Sequence, residues 1–589
     1  MKIPNFRLAK YFIFFVAGMV FFSSLFSKVY YQANAWLISD QPQSSFSQNL
    51  ASNSRHRHSP LGTNLSGFAP WSSQMPLLDS FKSSNPWLTQ CTKTDPGCTG
   101  EWDTKEADLL DLDENGWVKS LPAPEDKPIY TRVSALLLRG MANRYPGGKY
   151  LVLYEGTGKM KYSLSARKDE QASTPGRDVI DVDASKSGGI LVTIIETDPN
   201  KTGDYIRNIR VIHSKDESVY QSGEIFNPDF IEKLKGYRAL RFMDWMGTNH
   251  SQQKEWKDRP TPNTPSYMMK GASIEVMVAL ANQLKAEPWF NMPHQATDEY
   301  ITNFARLVKK SLDPNLNIYV ELSNEVWNWQ FKQTHYALEE GQKRWGKDKG
   351  DAFRQWYGMR TAQMCDQWKE VFGNQKDRVT CVIATQVGWK GAEKSILDCP
   401  YWVAEGNKAC YKHGIDAYAI AGYFGASLGY PDNESRVESW LKDPDGGFQK
   451  AFKQIKTGQL LDKGRKDSLP ENKDFFLYHA KVAQERNLKL MAYEGGQHVV
   501  GRKQVVNNEK LTNFFIEINR HPQMYEFYTQ LLKDWKQTGG TLFMHFSDVV
   551  KSSKWGSWGS LEYLDQSGSS KYDALQDFIT ENSCWWEGC

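Results

Sequence analysis

Eight short apolar runs separated by stretches of helical pattern constrain this chain more than any other feature. They are Gly62–Phe68, Ala239–Met243, Pro288–Met292, Ile318–Leu322, Val379–Ala384, Ala417–Ala421, Leu488–Ala492 and Leu542–Phe546. Most are apolar on successive residues, as expected of parallel strands buried on both faces. Between them, Ala272–Lys285 places Ile274, Val276, Val278, Leu280 and Leu284 on a broad apolar surface. Asp298–Ser311 opens on an acid and closes on Lys309-Lys310, in keeping with the helix dipole. Strand and helix alternating this often predict an α/β fold, with eight parallel strands closed into a (β/α)8 TIM barrel.

One stretch breaks the alternation. Within 103–225, Ser134–Leu138, Tyr150–Tyr154, Lys161–Ala166, Asp178–Val182, Ile190–Thr197 and Ile206–His213 are short β runs joined by Gly, Pro, Asn and Asp turns. They predict an antiparallel β-sandwich inserted after the first barrel strand, read as a structural or positioning module. The barrel then spans 61–102 and 226–580, with 581–589 as a C-terminal tail.

At the N-terminus, Lys2, Arg7 and Lys10 precede an uncharged run from Tyr11 to Ser27. Residues 1–35 read as either a cleaved export signal or an uncleaved membrane anchor, and both put the rest of the chain outside the cytoplasm. The Ser-, Gln- and Asn-rich residues 36–60 read as a linker. The formal charge of +3 becomes −1 without residues 1–35, so no domain-wide basic excess remains for nucleic acid. Eight Cys fit export. Cys91/Cys98, Cys399/Cys410 and Cys584/Cys589 are spaced to close small loops, whereas Cys365 and Cys381 either pair or stay buried as thiols.

Chemistry is marked by two glutamates. Glu325 follows the fourth strand in Ile318-Tyr-Val-Glu-Leu-Ser-Asn324-Glu325-Val-Trp327-Asn328. Glu494 follows the seventh in Leu488-Lys-Leu-Met-Ala-Tyr493-Glu494-Gly495-Gly496. Of three Asn-Glu pairs, only Asn324-Glu325 ends a buried-type strand; Asn433-Glu434 and Asn508-Glu509 fall at helix starts. Two carboxylates at the carboxyl ends of core strands are what acid/base and nucleophile work on a sugar acetal requires, without metal or cofactor. High aromatic content, with 21 Trp, suits either a large core or a saccharide cleft.

On these motifs the chain resembles the clan A superfamily of retaining glycoside hydrolases, which contains endo-β-glucanases, β-mannanases and β-glucosidases. The resemblance covers roughly 60–100 and 226–580. It implies that Glu325 is the acid/base and Glu494 the nucleophile, acting on a polysaccharide or oligosaccharide. It implies that Asn324 binds the sugar 2-hydroxyl, that Arg241 supports the nucleophile, and that His294, Tyr423 and Trp327 line the substrate site. A Trp normally floors that site at strand eight. Here the strand end reads Met544-His545-Phe546, with Trp555 and Trp558 further on, and Trp558 is the residue carried forward. Ala421 stands where several families have a His, which separates this chain from the family 5 type of cellulase. Arg241 is expected to keep Glu494 anionic, and repulsion between the acids to keep Glu325 protonated.

Two alternatives remain open at this point. One is a non-catalytic barrel that binds polysaccharide. The other is an esterase built on Gly425-Ala-Ser427-Leu-Gly429, a G-x-S-x-G match whose base would be His498, His521 or His545. The long segment Trp245–Tyr267, with Trp256 and several Pro, is expected to shape subsites on the strand-two side.

Overall fold

A computed structural model describes residues 59–123, 128–141, 143–462, 465–587 and 589. The expected export segment and nearly all of the linker lie outside the described residues. Among those described, no helix is long and apolar enough to cross a membrane.

The eight barrel strands are Leu61–Asn64, Ala239–Arg241, Glu287–Met292, Ile318–Leu322, Val379–Ala384, Ala417–Phe424, Lys489–Gln497 and Phe543–His545. All pair in parallel, and the first pairs with both the second and the eighth, which closes the barrel. Strands one to four are buried along their whole length, polar residues such as Asn64, Arg241, Asn291 and Glu321 included. The helices are set by their caps as much as by their apolar faces. Ser273 accepts from the Val276 amide at the start of Ile274–Leu284, and Thr297 accepts from Tyr300 at the start of Asp298–Ser311.

Strands six and seven run further than their apolar runs. Beyond Ala421 and Ala492 the ladder continues through Gly422↔Gly495 and Tyr423↔Gly496 to Phe424↔Gln497. The glycines there permit close approach. A Cβ on Gly495 would lie 2.2 Å from Cζ of Phe543 and 2.9 Å from the Gly422 carbonyl oxygen. The same pairing slips by one residue: Ile420 faces Ala492 and Ala421 faces Glu494, so Tyr493 is an extra residue on strand seven. Such a bulge re-aims the side chains beside it.

The antiparallel part consists of two four-stranded sheets. One has the order Leu88–Gln90, Arg132–Leu137, Ile190–Thr197, Gly158–Leu164. The other runs Ala166–Thr174, Arg177–Val182, Gly148–Glu155, Arg207–His213. Both face one core that includes Val133, Leu137, Tyr150, Val152, Ile180, Val192 and Val211, as a sandwich requires. Its first strand, Leu88–Gln90, lies before the expected boundary at 103 and pairs with Arg132–Leu137. Ala166–Thr174 is an edge strand rich in charge and exposed along much of its length, so no apolar alternation announces it. The sandwich is tied to the segment after barrel strand two. Lys82 Nζ donates to the Pro262 and Thr264 carbonyls, and Trp117 Nε1 donates to that of Asn263.

Three disulfides join Cys91–Cys98, Cys399–Cys410 and Cys584–Cys589, while Cys365 and Cys381 are buried thiols. The final residues fold back onto the barrel: Trp585 Nε1 donates to the Gly540 carbonyl, and Arg238 lies over the Trp586 ring.

Candidate active site

Arg241, at the end of barrel strand two, is fully buried, and its guanidinium organises the site. Nε and Nη2 donate to Glu321 at 3.1 and 2.9 Å. Nη2 also donates to Asn324 Oδ1 at 2.9 Å, and Nη1 donates to Glu494 Oε1 at 2.9 Å and Asn64 Oδ1 at 3.0 Å. Strands one, two, four and seven therefore meet at one planar group whose five N–H donors suit two carboxylates and two amides.

Glu494 accepts a second hydrogen bond, from the Tyr423 hydroxyl at 2.9 Å. Glu325 accepts from the Tyr493 hydroxyl at 2.9 Å and from Asn328 Nδ2 at 2.9 Å. Tyr493 and Glu494 are neighbours in the chain. On a regular strand their side chains would leave opposite faces. The bulge at Tyr493 lets both contribute polar groups to one site. On the other side, Ser323 and Glu325 have φ of 59° and 42°, a left-handed backbone uncommon outside glycine. Such residues are held only where the surroundings over-determine them, and they cluster at functional sites.

The two carboxylates differ in environment. Glu494 is buried and Glu325 is partly exposed. Burial raises the Glu494 carboxyl from 4.5 to about 8; Arg241 pulls it down, and the charge of Glu325 pushes it up. Arg241 favours the charged form of Glu494 as expected of a neighbouring cation, but burial outweighs it. One guanidinium is shared between Glu494 and a second buried acid, Glu321, whose carboxyl burial also raises.

Around this centre, Asn324 Nδ2 donates to Asn249 Oδ1, and Gln333 Nε2 donates to Asn249 Oδ1 and the Asn324 carbonyl. The buried Trp327 ring packs edge-on to Tyr493, with centroids 6.1 Å apart. Trp558 meets Tyr423 at 5.9 Å and Phe546 at 5.7 Å, so of the strand-eight aromatics it joins the Tyr423 side; Trp555 is 66% exposed. His294 is buried against the Tyr336 ring, and burial lowers its imidazole to about 4. Among the described residues, no hydrogen bond or ion pair joins it to either carboxylate. Ser427 is buried in the 3-10 turn Ala426–Gly429, and its Oγ accepts from Gln454 Nε2. Among the described residues, no hydrogen bond joins Ser427 to His498, His521 or His545.

Sequence reasoning missed Glu321, Asn64, Asn249, Asn328 and Tyr493 as members of this network. Glu321 is the one with a readable signal, an acid within an otherwise apolar strand, Ile318-Tyr-Val-Glu321-Leu. Such a residue demands a buried cation.

The fold is a closed eight-stranded parallel barrel, as the resemblance to the clan A glycoside hydrolases implied; Glu325 follows strand four and Glu494 lies within strand seven. No protein-family model matches the chain, and no curated protein matches it. Several solved structures are similar. Cel5A from Thermotoga maritima, in complex with a mannotriose substrate, is 9% identical with a TM-score of 0.32, over 60% of this chain and 91% of its own. A broad-specificity GH5-4 endoglucanase from Clostridium acetobutylicum is 13% identical with a TM-score of 0.32, over 60% of this chain and 89% of its own. Xylanase 10B from Thermotoga maritima is 9% identical with a TM-score of 0.30, over 60% and 89%.

Proposed function

We propose that the protein is a retaining glycoside hydrolase that cleaves O-glycosidic bonds of a polysaccharide or oligosaccharide in two displacements. The observation that carries this reading is the Tyr493-Glu494 pair, through which two adjacent residues of one strand reach both acids. Glu494 is the nucleophile and Tyr493 holds Glu325. A retaining mechanism needs the two carboxyls about 5–5.5 Å apart, against about 6.5–9.5 Å for inversion.

In the first step Glu325 gives its proton to the leaving oxygen while Glu494 attacks the anomeric carbon, forming a glycosyl ester. In the second, Glu325 takes a proton from water as that water displaces Glu494. The donors on Glu494, Arg241 and the Tyr423 hydroxyl, favour its charged form whenever the pair releases a proton. Asn324, held by Arg241 and Asn249, presents its amide toward the sugar 2-hydroxyl, and Trp327 and Trp558 supply aromatic walls. His294 takes no step in this scheme.

Export supports the same reading. Three disulfides in one chain fit an oxidising compartment outside the cytoplasm.

The test is turnover on a saccharide panel by the wild type and by Glu325→Gln and Glu494→Gln. Each substitution is expected to cut kcat by about 10³-fold or more. A fluoro-sugar inactivator is expected to label Glu494. Full activity in both variants overturns the assignment, and saccharide binding without labelling or turnover shows a binding barrel instead.

A further inference from the structure

A cavity of about 380 Å³ lies between the sandwich and the segment after barrel strand two, away from the carboxylate pair. Trp87 forms part of its wall. Its ring is pinned by Nε1, which donates to the Gly116 carbonyl, and packs edge-on to Trp117. Met269, on the facing segment, adds a 69% exposed apolar side chain to the wall.

Charged groups of both signs surround the cavity. Lys257, Arg259 and Lys270 line it. Arg259 is held flat over the Trp256 ring, 4.3 Å from its centroid, and its buried Nε has no acceptor. Of the two acids, Asp113 is already saturated. Oδ1 accepts from the Asn115, Gly116 and Trp117 amides, and Oδ2 accepts from the Tyr205 hydroxyl. Asp258 lies within electrostatic reach of Lys257 and Lys270, which leaves Arg259, with its unused buried Nε, as the cation in no ion pair among the described residues. An aromatic plane beside a guanidinium with an unused donor matches a sugar chain that carries carboxylates.

The cavity is also linked to the candidate active site. The segment that supplies Lys257 and Arg259 also supplies Asn249, which accepts from Asn324. Lys257 is eight residues beyond Asn249, so their Cα atoms are no more than about 28 Å apart. One oligosaccharide can span that distance.

We infer that this cavity is an accessory binding site for an acidic, uronate-bearing glycan, and that it anchors the chain whose linkage the carboxylate pair cuts. The second clause rests on the proposed function; the binding itself does not.

The test uses the full chain carrying Glu494→Gln, so that bound glycan is not turned over. Titration calorimetry compares oligogalacturonate with an unsubstituted gluco-oligosaccharide of equal length. Arg259→Ala and Met269→Asp are the probing variants, since neither side chain belongs to a packed core, and thermal melting checks their folding. The expected result is preferential binding of the oligogalacturonate. Affinity should fall roughly tenfold or more in each variant and in about 0.5 M NaCl. Unchanged affinity in both folded variants, or equal binding of the neutral oligomer, overturns the inference. If Glu325→Gln in the otherwise native chain stays active while the cavity variants lose binding, the proposed function fails and the site stands.

Discussion

Glu494 is an acid kept where its charge is unwelcome. Its carboxyl is raised by burial from 4.5 to about 8. Below about pH 4.5 the folded and unfolded chains both hold this proton, and the group does not disfavour folding. Between 4.5 and 8 the unfolded chain releases the proton and the native one keeps it, so stability falls as pH rises, and the penalty is complete above about 8. Glu494→Gln removes the titration. Its stability advantage over the wild type should therefore grow steadily across that window, read by chemical denaturation at pH 4.5, 6 and 8. Tyr493→Phe tests the other acid. It takes away one donor to Glu325 and leaves the ring against Trp327. The expected outcome is a kcat lowered by about tenfold with a displaced pH–rate profile and an unchanged melting temperature. A lowered melting temperature with an unmoved profile would show that the hydroxyl acts only in packing.

At the scale of elements, strands six, seven and eight crowd the Phe543 ring. A methyl on Gly495 would enter that ring, so Gly495→Ala should destabilise the protein by about 1–3 kcal/mol and lower activity with it. Size-reducing Phe543→Leu in the same chain should recover part of the melting temperature. This region also shows how far the sequence could be read. The strands were visible wherever burial on both faces made them continuously apolar, as in Ile318–Leu322 and Val379–Ala384, which match the structure residue for residue. Their extensions past Ala421 and Ala492 were not, because glycines and polar residues that pair near a site look like a loop. The charged edge strand Ala166–Thr174 was hidden for the opposite reason: one face is solvent. Glu325, Glu494, Arg241 and Tyr423 stand out in the sequence because each lies at or just beyond an apolar run. The bulge was not, since a register slip leaves no mark in composition.

For the molecule as a whole, the groups that Arg241 gathers come from positions 64 to 494, and the site is complete only when the first and last strands have met. Small loops closed by cystine add stability mainly by restricting the unfolded chain, so their effect is expected to be modest here. Reducing the three bridges should lower the melting temperature by several degrees without changing kcat of the folded protein, measured with and without reductant. Loss of kcat at a temperature where the fold persists would mean that one bridge holds a substrate loop.

The extra residue on strand seven has a consequence for stereochemistry. Loops drift over evolutionary time, whereas a peptide unit has fixed length. Because Tyr493, which donates to Glu325, and Glu494 are consecutive along the backbone, one link between the two acids runs through a single peptide unit of a barrel strand. If the proposed function holds, substitutions in the surrounding loops should alter which glycan is taken before they alter the stereochemical outcome.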